Sequence, residues 1–252
     1  MKYYNNKINI LLVSILVVGV YHACSHCEDS LVLNLFWTGM LLLQGNLRRL
    51  SSKKTAVHFL RMSLYFIPYL LPTILKGDTK WLSPKTIVYL MVALLIYVLW
   101  VAIKFDKIKI FLSDEMLSQS QREKRVTLFM YIYNLIGASI SEELFFRSYI
   151  LSMQGDCFFL LILSTSLFWT SHWISPWDKK ITLGDSIQQI YVGVGCSLLY
   201  IFSNSILPSL LLHLLFNAIP GVYYLKKYDR FYRNKEKYDR IQARILKDDL
   251  YL

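Results

Sequence analysis

Charge is scarce in this chain: Asp, Glu, Lys and Arg together make up only 18% of its 252 residues, against 55% hydrophobic ones. Such a balance, with a mean hydropathy of +0.38, excludes an ordinary soluble domain and points to a polytopic membrane protein. Cysteine is scarcer still. Four scattered residues are too few for a disulfide framework. Cys157 and Cys196 read as small apolar residues within spans, and His22, Cys24, His26 and Cys27 in HACSHC match no defensible metal-ligand spacing. There is no repeat, low-complexity stretch or linker, so a single integral domain is expected over residues 1–252. No small-x-small cleavage site follows the first apolar run, which is therefore read as a retained span rather than a signal peptide.

What is present is a succession of apolar runs of the length that crosses about 30 Å of hydrocarbon. Eight are expected, at approximately 8–25, 30–46, 57–75, 86–104, 126–153, 157–174, 184–203 and 205–225. The third is interrupted by Arg61, Pro68 and Pro72, which predict a kinked or partly interfacial segment. The fold class expected is therefore all-α, a membrane bundle of about eight helices. The net charge of +11 suggests a nucleic-acid partner only if its distribution is ignored. With the N-terminus inside, 23 Lys and Arg fall in cytoplasmic segments and three (Lys76, Lys80, Lys85) outside. That asymmetry predicts a cell-membrane protein with both termini cytoplasmic, and a basic tail, residues 226–252, resting on anionic headgroups. No nucleic-acid partner is expected, and the oligomeric state is not legible.

The few ionisable groups inside the spans matter most: Arg61, Glu142, Glu143, Arg147, His172, Asp185 and His213, with His58 near an edge. A charge at bilayer depth costs about 2.5–3.5 kcal/mol even on a lenient scale, so an intramembrane carboxylate marks a functional site by default. Glu143 and Arg147 are spaced i, i+4 and pair along one helix face, whereas Glu142 points about 100° away and needs another partner. A purely structural charge cluster accounts for Glu143 and Arg147 but not for Glu142. His172 ends a later apolar run, and His213 and Asn217 share a face of the last one. Counted from the adjoining turns at 1.5 Å per residue, Glu142, His172, His213 and Asn217 lie about 18, 24, 13 and 19 Å deep. Helices at those depths can bring the four into one polar cavity inside the bundle. Asp185, Gln188 and Gln189 are read as polar capping of a helix end, with a lining role at the cavity mouth as the alternative. Trp169, Trp173 and Trp177 are read as an interfacial belt.

The three motifs in this order, EELFFR from Glu142 to Arg147, FWTSH from Phe168 to His172, and HLLFN from His213 to Asn217, resemble the CAAX protease and bacteriocin-processing (CPBP, or Abi) group of intramembrane proteases. The resemblance covers roughly residues 126–221. Ser148 stands where relatives often carry glycine, and Thr170 and Ser171 where smaller residues are common. It implies an endopeptidase acting on membrane-delivered peptides or protein tails, with Glu142 as general base and His172 orienting water. His213 and Asn217 would then donate to the oxyanion, and Glu143 with Arg147 would hold the helix in register. Zinc is the rival chemistry, held by Glu142, His172 and His213 with an open position for water, although no HExxH is present. A short chain without organelle targeting fits the bacterial members, associated with bacteriocin processing, self-immunity and peptide signalling. An inactive immunity or scaffold protein of the same fold, and a proton-coupled carrier, are the competing classes. A carrier predicts inverted repeats, and none is visible.

Overall fold

The computed structural model describes residues 2–25, 28–47, 55–76, 79–174, 182–234, 236 and 240; among these there are helices and turns but no strand. His26, Cys27 and Trp177, and most of the basic tail beyond Asn234, lie outside the described residues. The first pair of helices, α1 (Lys2–Ser25) and α2 (Glu28–Leu47), packs together around buried Val18, Leu33 and Trp37. The Trp37 indole N–H donates to Ser14 Oγ across that contact at 3.3 Å. His22 of the HACSHC stretch meets Ser30 Oγ at 2.8 Å, an ordinary polar contact between the two helices.

The third apolar run is not one helix. It divides into α3 (Thr55–Leu64), a 3₁₀ turn (Ile67–Tyr69) and α4 (Leu70–Lys76). Pro68 has no N–H to continue α3 and instead opens the 3₁₀ turn, while Pro72 falls in the first turn of α4, where a backbone donor has no helical partner anyway. The break turns Tyr69 inward, where it is 2% exposed.

Next come α5 (Thr86–Phe111) and the short α6 (Asp114–Ser118). The large apolar side chains Ile87, Met91, Leu95, Leu99 and Ile103 of α5 are all exposed. A water-soluble chain does not present so continuous an apolar face, whereas lipid solvates it. Three segments are long and apolar enough to cross a bilayer: Thr86–Phe111, Leu183–Ser203 and Leu207–Arg233. The apolar stretches Leu12–Ala23 and Cys157–Trp173 are shorter, so the expected count of eight full-length spans exceeds what length and composition of the described helices carry.

Four further helices follow. They are α7 (Arg125–Glu143), α8 (Cys157–Ile174), α9 (Leu183–Ser203) and α10 (Leu207–Tyr228). α10 packs on α7, α5 and α9, and α8 on α9 and α1. Thr182 and Asp185 form a capping box that starts α9, and Asn204 ends it in the left-handed region at φ 52°. The segment before α5 fastens the following turn: Ser205 Oγ donates to Trp81 O at 2.6 Å and Ile206 N to Lys80 O at 2.9 Å.

The helix of α7 does not end at Glu143 but widens into a π turn (Leu144–Tyr149) and then a 3₁₀ turn (Ile150–Ser152). Widening re-aims backbone carbonyls, and in a buried, water-poor setting each needs a partner. Neighbouring side chains supply them: Thr73 Oγ1 donates to Leu144 O at 2.9 Å and Ser164 Oγ to Phe146 O at 2.7 Å. The π turn thereby sits in a fixed seat between α4 and α8. Upstream on α7, a Cβ at Gly137 would stand closer to the Phe66 ring carbons than carbon atoms pack. Gly137→Ala is expected to displace that ring and to lower stability by about 1–3 kcal/mol, measured as thermal unfolding of the whole chain in detergent.

Candidate active site

Glu142 and Glu143 close the last turn of α7 and diverge, as their 100° offset requires. Glu143 is fully buried and meets Arg147 Nη1 at 3.2 Å, the i, i+4 pair expected from the sequence. It has a second partner on another helix, His213 Nδ1 of α10, at 2.8 Å. Arg147, also fully buried, donates from Nη2 to Gly193 O of α9 at 3.2 Å, and its guanidinium lies 4.6 Å over the Phe168 ring of α8. The Glu143–Arg147 pair thus reaches α8, α9 and α10, beyond the intrahelical register role expected of it. Gly193 admits this packing because a Cβ there would lie 3.0 Å from Thr165 Cγ2 and 3.3 Å from Phe168 Cδ1.

Glu142 faces the histidines. Its Oε2 lies 3.9 Å from His172 Nε2 and 3.9 Å from His213 Nε2, and has no direct hydrogen-bond partner. Separations of 3.9 Å are too long for a direct bond and suit groups bridged through one small molecule such as water. The far side of each ring decides its tautomer. His172 Nδ1 lies 2.9 Å from Phe168 O, which only accepts, and His213 Nδ1 faces a carboxylate already paired with arginine. Each Nδ1 therefore carries the proton and donates, so in the neutral ring each Nε2 offers a lone pair to the side of Glu142.

Asn217 lies one turn along α10 and takes a different course from the expected oxyanion contact. Its Nδ2 donates to Ser139 Oγ at 2.8 Å and to Leu135 O at 3.3 Å, fastening α10 to α7. His213, likewise expected at the oxyanion, has its donor committed to Glu143. Glu142, His172, His213 and Asn217 line one cavity, and the direction of each donor follows from the rotation of α10 against α7.

A cavity of about 360 Å³ opens beside these groups. Glu142, His172, His213 and Asn217 line it, together with Gln44 of α2, Tyr69 of the 3₁₀ turn and Trp173. Asp185 and Gln189 of α9 line it as well, so the first does both jobs weighed for it, capping the helix and facing the cavity. Trp173, read as part of an interfacial belt, is on the cavity wall with its ring 5.4 Å from that of Trp169. Gln44 and Tyr69 were missed by the motif reading. The available signal was an amide in the largely apolar α2, where Gln44 stands with Asn34 and Asn46, since membrane segments seldom carry such groups without a use.

Tetrahedral zinc with bonds near 2.0–2.1 Å would hold its ligand atoms about 3.3 Å apart. The Glu142–histidine separations of 3.9 Å are wider, and among the described residues no three His, Cys, Asp or Glu side chains are spaced to hold a metal ion. As arranged, the donor set does not fit zinc.

Residues 124–219 match a family model, Type II CAAX prenyl endopeptidase Rce1-like. That segment runs from the start of α7 to just beyond Asn217, less than half of the chain, and over it the chain is similar to that family, as the motifs' resemblance to the CPBP group implies. Comparison with curated proteins and with solved structures gave no match. Gln44 and Tyr69 lie outside the matched segment.

Proposed function

We propose that the chain is a CPBP-type intramembrane endopeptidase in which Glu142 activates water for attack on a peptide bond. The observation that carries this reading is the convergence of one carboxylate oxygen and two imidazole nitrogens, from three helices, at 3.9 Å separations beside a cavity. A carboxylate oxygen flanked by two imidazole nitrogens suits a water molecule, which brings two protons. Glu142 takes one proton as the water oxygen bonds to the scissile carbonyl carbon, while Nε2 of His172 or His213 accepts the other hydrogen and aims the oxygen lone pair. When the tetrahedral intermediate collapses, the C–N bond breaks and protonated Glu142 returns its proton to the leaving amine. Glu143, Arg147 and Asn217 act as positioning residues: the first two set the ring of His213, and the third sets α10 against α7.

The substrate class is a membrane-delivered peptide or protein tail reaching the cavity laterally or from the cytoplasmic side. The bundle sits in the cell membrane with about eight apolar segments and both termini cytoplasmic, a reading supported by the Lys and Arg asymmetry. Peptide maturation or self-immunity in a bacterium is the setting proposed for this activity.

The test is cleavage of hydrophobic peptides by the purified chain in proteoliposomes, with and without a zinc chelator. Cleavage unaffected by chelation and lost in His172→Ala, with the variant still accumulating in membranes, is the expected result. Inhibition by the chelator with recovery on adding zinc would replace the glutamate mechanism by a metal one. A cellular phenotype that survives both Glu142→Ala and His172→Ala would instead make the chain an immunity or scaffold protein.

A further inference from the structure

Addition of water to a peptide carbonyl requires a donor for the oxygen that turns negative. The donors expected from the sequence are occupied, His213 Nδ1 by Glu143 and the Asn217 amide by Ser139 and Leu135. The Ser171 hydroxyl on the same cavity wall donates to Phe168 O at 2.6 Å. Two other polar side chains reach the cavity from α2 and the 3₁₀ turn, Gln44 and Tyr69.

Tyr69 is held in register with Glu142. Its ring centroid is 5.2 Å from that of Phe145 and 5.6 Å from that of Phe146, both on the π turn that directly follows Glu143. Gln44 Nε2 donates to the Tyr69 hydroxyl oxygen at 3.2 Å. With one lone pair engaged there, the O–H of Tyr69 can point into the cavity that it lines together with Ser171 and Glu142. Gln44 is itself only 4% exposed, and its Oε1 is buried with no protein partner. An amide oxygen so placed is costly to leave unbonded and matches an incoming N–H.

A hydroxyl donor beside an amide acceptor is the complement of a peptide backbone, which presents C=O and N–H. We propose that Tyr69 and Gln44 form the substrate-carbonyl wall of this site: the Tyr69 O–H donates to the scissile carbonyl oxygen as it becomes an oxyanion, and Gln44 Oε1 accepts a neighbouring backbone N–H of the substrate. Rotation about the C–O bond aims the Tyr69 O–H without moving the ring. Tyr69 is then a catalytic residue and Gln44 both binds substrate and positions Tyr69. The inference rests on the protease reading and adds to it a residue pair from outside the family-matched segment.

The experiment uses the full chain in proteoliposomes with quenched-fluorescent peptides, farnesylated and unmodified. Tyr69→Phe keeps the ring packing and is expected to lower kcat by about 10²- to 10³-fold. KM should stay within about threefold, the split that marks an interaction made in the transition state. A phosphinic peptide that imitates the tetrahedral intermediate should lose affinity for Tyr69→Phe by the same factor as kcat/KM, a readout that loosened packing alone would not produce. Gln44→Met should raise KM and lower kcat together. A wild type that cleaves, with Tyr69→Phe and Gln44→Met each within about threefold of it in kcat and KM, overturns this inference and leaves the protease standing. A wild type that cleaves no peptide, and that Glu142→Gln leaves unchanged, overturns both.

Discussion

Glu142→Gln is expected to lower peptide cleavage by about 10²- to 10⁴-fold while the protein accumulates in membranes as the wild type does. The substitution keeps size and shape and removes the one property the mechanism uses, a carboxylate able to take a proton from water. It should not disturb folding, because Glu142 Oε2 makes no direct hydrogen bond and the buried Arg147 is paired with Glu143. Replacing a partly buried carboxylate that accepts no direct hydrogen bond at Oε2 relieves a desolvation cost, so a slight rise in thermal stability is expected. The checks are single-turnover cleavage in proteoliposomes and unfolding in detergent on the same preparation. Loss of activity together with loss of stability would mean that Glu142 holds the bundle rather than serving the reaction. Unchanged activity would remove it from the chemistry.

The outline of this site was legible because charge in lipid is expensive. Two adjacent carboxylates in an apolar run had to be used, and helical spacing alone separated the arginine-paired Glu143 from Glu142. The break in the third run was legible too, since Pro68 and Pro72 cannot be carried through a regular helix. The destination of Asn217 was not. Whether its amide meets Glu142 or Ser139 depends on how far α10 is rotated against α7, and the apolar pattern of α10 is compatible with either. The π turn was equally hidden, because nothing in LFFRSY distinguishes a widened turn from a regular one. What stabilises it, Thr73 and Ser164, is distant in sequence and reads as two ordinary small polar residues. Gln44 and Tyr69 escaped for a related reason. Neither belongs to a motif, and their relation to Glu142 exists only once Phe145 and Phe146 are stacked on the tyrosine ring.

Arg147→Met is expected to destabilise the protein by about 3–5 kcal/mol, enough to abolish accumulation of a marginally stable membrane protein. The argument turns on what is left behind. Glu143 is fully buried, and without the guanidinium its charge keeps the imidazole of His213 but loses its cation. Gly193 O loses its donor and the Phe168 ring loses the cation above it, so the contact of α7 with α8 and α9 loosens at the same time. Arg147→Lys should rescue little, because one ammonium on a flexible stem cannot reach both Glu143 and Gly193 O as the fork does. Glu143→Gln combined with Arg147→Met should recover much of the loss: the amide carries no charge to strand, and its oxygen still accepts from His213 Nδ1. A double-mutant cycle on detergent unfolding measures this coupling directly. A cycle that closes to zero, with Arg147→Met as stable as the wild type, would mean that the buried pair is incidental to the packing of α7, α8, α9 and α10. The orientation of His213 would then have to come from somewhere other than the charge pair.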